Sequence, residues 1–172
     1  MSLESVFLKF SADKLEQLCG RIETCVDKLT PEQIWARGTQ SENAVGNLML
    51  HLAGNVRQWI LHGVGGQPDF RTRDAEFDAR GGVAVDELKR RLRSTVDEAV
   101  AVIRALPPER LSEIRRIQTY HEGTLLEAIY HVVEHFSGHT GQIIFATKLL
   151  TGTDLEFYAY LKSSAAGGNK TP

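Results

Sequence analysis

TLLEAIYHVVEHFSGHTGQIIFATKLLTG, residues 124–152, reads as one long helix with both ends marked. Thr124 followed three residues later by Glu127 is a capping box: the hydroxyl accepts a first-turn N–H and the carboxylate returns to the cap's own N–H. Thr151-Gly152 supplies the stop, since glycine readily takes the left-handed turn that closes a helix. Leu125, Ile129, Val132, Phe136, Ile143 and Leu150 fall at helical spacing and make a core-facing stripe. Beside that stripe, His131, His135 and His139 step by four residues. At about 100° per residue, each is turned only about 40° from the last, so the three imidazoles share a side that borders the interior. Ala128, Gly138, Gln142 and Ala146 share it too, and their small size lets a neighbouring helix come close.

Working outward, Leu3–Leu29 carries Val6, Phe7, Phe10, Leu15, Leu18, Ile22 and Val26 at the same period. Thr30-Pro31-Glu32 restarts a short helix, with threonine as cap and proline at the first position, ending near Gly38. Ser41 or Asn43 then caps a helix running through NAVGNLMLHLAGNVRQWILHG to about Gly63. The cluster Gly63-Val64-Gly65-Gly66-Gln67-Pro68 breaks it, and residues 69–82 are charged and irregular. Leu88, Leu92, Val96, Val100 and Ile103 mark another helix over Val85–Leu106, stopped by Pro107-Pro108. Residues 109–123 predict a loop with one helical turn, and Asp154–Leu161 a short terminal turn. No strand alternation of useful length is visible. The expected fold is all-α, a four-helix bundle with a short extra helix and long connecting loops. The bundle domain spans residues 1–162. The tail SSAAGGNKTP, residues 163–172, has nothing to bury and is expected to be flexible.

The chain's 172 residues suit one core, and 42% hydrophobic with 24% charged residues is the balance of an ordinary globular domain. A net charge of −2 leaves no electrostatic footprint for nucleic acid or an anionic membrane. No apolar run reaches the roughly 18 residues needed to cross a bilayer, and the first residues lack the pattern of a signal peptide. A cytoplasmic location follows as the default. Cys19 and Cys25, six apart in a helical pattern, fall on different faces and predict small buried hydrophobes rather than a disulfide.

The histidine row finds a matching face on the second long helix. Asn47, His51 and Asn55 recur at four-residue spacing among Leu48, Leu50, Leu52, Val56 and Ile60. Facing polar rows inside a bundle are the usual way to build a metal or cofactor site there. His51, His135 and His139 then supply three nitrogens to one ion and leave positions open, the layout of a catalytic rather than a structural site. A second reading overlaps the first: His131-Val-Val-Glu134-His135 matches the inverted protease pattern H-x-x-E-H, with Glu134 as general base. His131, Glu134 and Gln142 are therefore the catalytic candidates. Gln142 and Asn55 are placed to orient a ligand histidine or a bound water. Arg71 and Arg73 could hold the carboxylate of a small acidic substrate, although Asp74, Glu76 and Asp78 balance their charge. Trp35 and Trp59 read as packing residues.

NLMLHLAGN followed far downstream by HFSGHTGQI resembles the DinB/YfiT-like superfamily, in particular its branch of uncharacterised domains, over about residues 5 to 160. The middle stretch GVGGQPDFRTRDAEF fits that branch as well. The resemblance implies a four-helix bundle holding a divalent metal on His51, His135 and His139, with His131 an addition to the triad. It also implies metal-dependent transfer of low-molecular-weight thiols, the activity of characterised members alongside a maleylpyruvate isomerase.

The expected function is thus a metal-dependent enzyme acting on a small molecule, thiol-S-transferase-like. A metal-dependent hydrolase and a non-enzymatic, metal-stabilised dimerisation module are the alternatives. Zinc or nickel is the expected ion, with iron, copper and manganese behind them. Expected partners are a small-molecule substrate, such as a thiol, and a second copy of the chain in a homodimer. Nucleic acid and membrane are not expected.

Overall fold

The computed structural model describes residues 1–118 and 121–161. The fold is mostly helical, with helices α1 (Leu3–Val26), α2 (Pro31–Ile34), α3 (Val45–Val56), α4 (Arg73–Asp78), α5 (Val85–Ala105) and α6 (Leu125–Thr151). α3 continues without a break as a π-helical segment, Arg57–Val64, and a 3₁₀ turn occupies Pro108–Ser112. Strands β1 (Ile114–Gln118) and β2 (His121–Thr124) form an antiparallel hairpin that leads straight into α6. Among the described residues, no helix is long and apolar enough to cross a membrane.

The four long helices meet as the apolar stripes require: α1 packs on α5 and α6, and α3 packs on the same two helices. Their shared interior holds Leu15, Ile22, Leu52, Ile60, Leu92, Ile103, Leu125 and Phe136, all essentially buried. Cys19 and Cys25 are free thiols in the same core, and burial pushes the Cys19 thiol up to about 12. Trp59 is buried, and Trp35 lies over Gly46, where a Cβ would stand 2.9 Å from its ring.

Capping fixes where helices begin. Thr30 and Thr124 each accept the backbone N–H of the third residue on, and Gln33 and Glu127 return the bond. Gly152 closes α6 at φ 65°, the left-handed turn that favours glycine. At α3 neither Ser41 nor Asn43 serves. The cap is Ala44, and Asn47 reaches back from the first turn to accept its N–H at 3.2 Å.

Two segments and two helix ends differ from the sequence expectation. Residues 109–123 hold the expected turn but also β1, so the fold is not purely helical. The strand was invisible to alternation because Ile117 is its one buried apolar residue, whereas Ile114 is exposed. Ile117 seats on Gly63, where a Cβ would come within 2.9 Å of its side chain. The charged stretch 69–82 contains α4, whose one buried residue is Glu76. The two short helical ends also retract, α1 to Val26 and α2 to Ile34. The tail 163–172 lies outside the described residues.

Phe136 projects into the core from the same helix that carries the histidines and is fully buried. Phe136→Ala is expected to lower stability by about 3–5 kcal/mol, the transfer term plus the cavity, read from urea unfolding midpoints. A loss below about 1 kcal/mol would mean that α6 does not pack as described.

Candidate metal centre

α3 and α6 cross with their polar rows facing. His51 is buried at 5% exposure, and its Nε2 lies 2.9 Å from Nε2 of His135. His139, one turn further along α6, sets its ring edge-on to both others, with centroids 4.4 Å from His135 and 5.1 Å from His51. One nitrogen from each of the three lies within 4.8 Å of the other two, near enough to hold a metal ion. The pair of imidazoles on α6 follows from the four-residue step. The third comes from a different helix, and only tertiary packing brings it in.

Two oxygen atoms set the direction of two of these rings. Glu76 Oε2 lies 2.9 Å from His51 Nδ1, and Gln142 Oε1 lies 2.7 Å from His139 Nδ1. Each oxygen accepts, so each Nδ1 carries the proton and each Nε2 keeps its lone pair. Arg71 Nη2 also stands 3.1 Å from His51 Nδ1. A guanidinium only donates, and a protonated Nδ1 that donates to the carboxylate cannot also accept from the guanidinium, so the bond to Glu76 holds and Arg71 belongs to the carboxylate. Arg71 grips Glu76 with both ends of its fork, Nε to Oε1 at 2.8 Å and Nη2 to Oε2 at 2.9 Å. Its side chain is 4% exposed, so this pair is screened from water.

Burial alone would raise the Glu76 pKa, but the hydrogen bonds from Arg71 and His51 outweigh it and hold the carboxylate below its usual range. Burial, reinforced by the neighbouring imidazoles of His139, His51 and His131, brings His135 down to about 3. Burial also lowers His139, against the opposing bond from Gln142. Both are therefore neutral near pH 7, the form that binds metal.

Glu76 reaches His51 because α4 is clamped from outside. Asn47 Nδ2 donates to the carbonyls of Glu76 at 2.8 Å and Ala79 at 2.9 Å. Arg37 adds donors to the carbonyls of Phe77 and Ala79. The acid also needs Gly54. A Cβ there would stand 2.0 Å from Glu76 Oε1 and 3.1 Å from Arg71 Nε, so only glycine lets the ion pair lie across α3.

The other candidates fall in different places. Arg71 is engaged by Glu76, and by Gln58 at 3.0 Å. Arg73 is exposed, its guanidinium 4.8 Å above the Phe77 ring. His131 stacks on His135 at 5.5 Å and packs at a tilt against Trp59 at 4.2 Å, outside the three-nitrogen group. Glu134 is exposed on α6 and is likewise outside that group. Asn55, one turn beyond His51, is 4% exposed, and its Oδ1 is buried without a hydrogen-bond partner among the described residues. Glu76 is the site residue that sequence reasoning missed.

The donor set fits a metal ion. Two nitrogens on one tetrahedral ion, each at about 2.0–2.1 Å, stand about 3.3 Å apart, close to the 2.9 Å between His51 and His135. Carboxylate support behind a ligand imidazole is the common arrangement at such centres, and a buried acceptor lacking a donor is what a polar guest would satisfy.

Fold and site together define a helical protein with a cross-helix histidine triad. The chain belongs to the family described as "Protein of unknown function (DUF1572)", whose profile matches residues 2–163. Among solved structures it is similar to a conserved protein from Enterococcus faecalis, with 16% identity and a TM-score of 0.70 over 89% of this chain and 99% of that one. At that identity the likeness concerns the fold alone. No curated protein matches.

Alanine at a helical glycine ordinarily stabilises by about 1 kcal/mol. Here Gly54→Ala is expected to displace Glu76, and both it and Glu76→Gln should weaken zinc binding about 10- to 100-fold, measured by chelator competition. Wild-type affinity in Gly54→Ala would show that Glu76 does not hold His51 in a binding-competent pose.

Proposed function

We propose that His51, His135 and His139 hold a divalent transition metal ion in a DinB/YfiT-like four-helix bundle over residues 1–162, and that the protein is a thiol-S-transferase-like enzyme acting on small molecules. The observation that carries the reading is the convergence of three imidazoles from α3 and α6, with nitrogens within 4.8 Å of one another. Zinc or nickel suits three imidazole donors. When bound, such an ion supplies Lewis acidity that makes a thiol or a water a nucleophile near neutral pH.

The chain's own residues do the rest. Three protein donors leave room for an outside ligand, whereas a purely structural ion is usually closed by a fourth. Glu76 keeps the His51 proton on Nδ1 and its lone pair on Nε2, and Gln142 does the same for His139. Phe77 packs on the His51 ring at 4.7 Å and limits its rotation. Asn55 Oδ1, on the His51 face of α3, is available to accept a hydrogen bond from a donor brought into the site. His131 supports His135 by packing between it and Trp59. The preference for sulfur over water rests on the family resemblance of NLMLHLAGN and HFSGHTGQI.

Cobalt-loaded, untagged protein tests this in two stages. The visible cobalt bands should appear in wild type and be lost in His51→Ala; bands unchanged in that variant would remove the metal reading. Addition of a low-molecular-weight thiol should then produce a sulfur-to-cobalt absorption near the ultraviolet, and thiol plus electrophile should turn over at least tenfold faster than with His51→Ala. Bands that ignore thiol would leave the metal site standing and remove the transferase reading.

A further inference from the structure

α3 has a second working face. Leu50, Ala53, Gly54 and Arg57 recur at helical spacing about a third of a turn round from His51, and they look toward α5 rather than α6. Across from them, Arg91, Ser94, Thr95 and Glu98 recur at the same spacing on α5. Between the two stripes lies a cleft of about 540 Å³, within the range of small-molecule sites. None of His51, His135 and His139 lines it, but Gly54, Arg71 and Glu76 do, so it adjoins the centre described above on the far side of that ion pair.

The cleft has an apolar wall and a charged rim. Leu50, Ala53, Ala75 and Val83 supply the wall, and Phe70 stands at its edge with 73% of its surface exposed. Phe70 thereby extends the apolar wall with an open aromatic face. The rim carries Arg57, Arg71, Arg90 and Arg91 against Glu76 and Glu98. Arg71 is spent on Glu76. Arg90 and Arg91 both engage the one carboxylate of Glu87, so even with Glu87 counted the rim keeps one positive charge. Arg57 is the rim guanidinium left unengaged: half-buried, and without a side-chain hydrogen bond or ion pair among the described residues. A half-buried guanidinium lacking a counter-ion beside an apolar wall matches one class of guest.

We propose that this cleft binds a small amphipathic oxyanion, with a carboxylate or phosphate head on Arg57 and an apolar body against Leu50, Ala53 and Val83 under Phe70. The fork of Arg57 suits either head, since both present two oxygens in one plane.

The test uses the full chain with no metal added, so its outcome does not depend on the metal reading. 1-Anilinonaphthalene-8-sulfonate serves as a fluorescent anionic probe, displaced by octanoate, octyl phosphate or 1-octanol. A single saturable site is expected, displaced by octanoate or octyl phosphate at concentrations at least tenfold below those needed with 1-octanol. The more effective anion identifies the head group. Arg57→Gln should weaken octanoate and octyl phosphate about tenfold or more, the scale of one charge-assisted hydrogen bond, and leave 1-octanol unchanged. Val83→Trp, which fills the cleft away from Arg57, should abolish the site while circular dichroism shows the helices intact. Equal displacement by 1-octanol, or probe binding unchanged in either folded variant, would overturn the proposal.

Discussion

The ion pair of Arg71 and Glu76, laid across the bare backbone of Gly54, is the contact on which the site rests. Taking a carboxylate and a guanidinium out of water costs several kcal/mol per ion unless each charge is met in good geometry. Here the fork of Arg71 meets both oxygens of Glu76, and His51 takes a further lone pair. α4 follows from this need. It has six residues, no side-chain cap and one buried residue, Glu76, so apolar burial does not hold it. Asn47 and Arg37 hold it instead, through the carbonyls at its end. Asn47 thereby serves twice, since the same side chain caps α3 through its other atom.

α3 emerges as the organising element because it is read differently from each side. Toward α6 it presents His51, while Asn47 one turn earlier reaches α4. Toward α5 it presents Leu50, Ala53 and Arg57. Gly54 sits on the boundary, where the Arg71–Glu76 pair passes between them. The helix then widens into the π-helical segment, with Gly65 N–H reaching back five residues to Ile60. Bulges of this type gather at functional sites, and this one places Trp59 against His131.

What was legible in the sequence is what repeats locally. The stripes of the long helices, the capping boxes at Thr30 and Thr124 and the stop at Gly152 all depend on residues within one turn of each other. The row on α6 and the matching row around His51 were legible for the same reason. Glu76 and Arg71 were not. They lie five apart in a charge-dense stretch with no period, and the histidine that Glu76 supports is 25 residues upstream. A signal did exist in Gly54, a glycine inside an apolar helix three residues after His51. Such a residue weakens the helix by about 1 kcal/mol, and a close approach by another group is a common reason to keep it. The hairpin was hidden because Ile117 alone anchors β1, and a single buried residue has no periodicity.

Cys19 and Cys25, the chain's two cysteines, lie wholly inside the core, and burial raises both thiols. Sulfur is the donor that would most readily strip a soft ion from imidazoles or be consumed by an electrophile. Locked away in its protonated form, it can do neither. Both thiols are thereby withdrawn from the imidazole cluster at His51 and from electrophiles in the surrounding water.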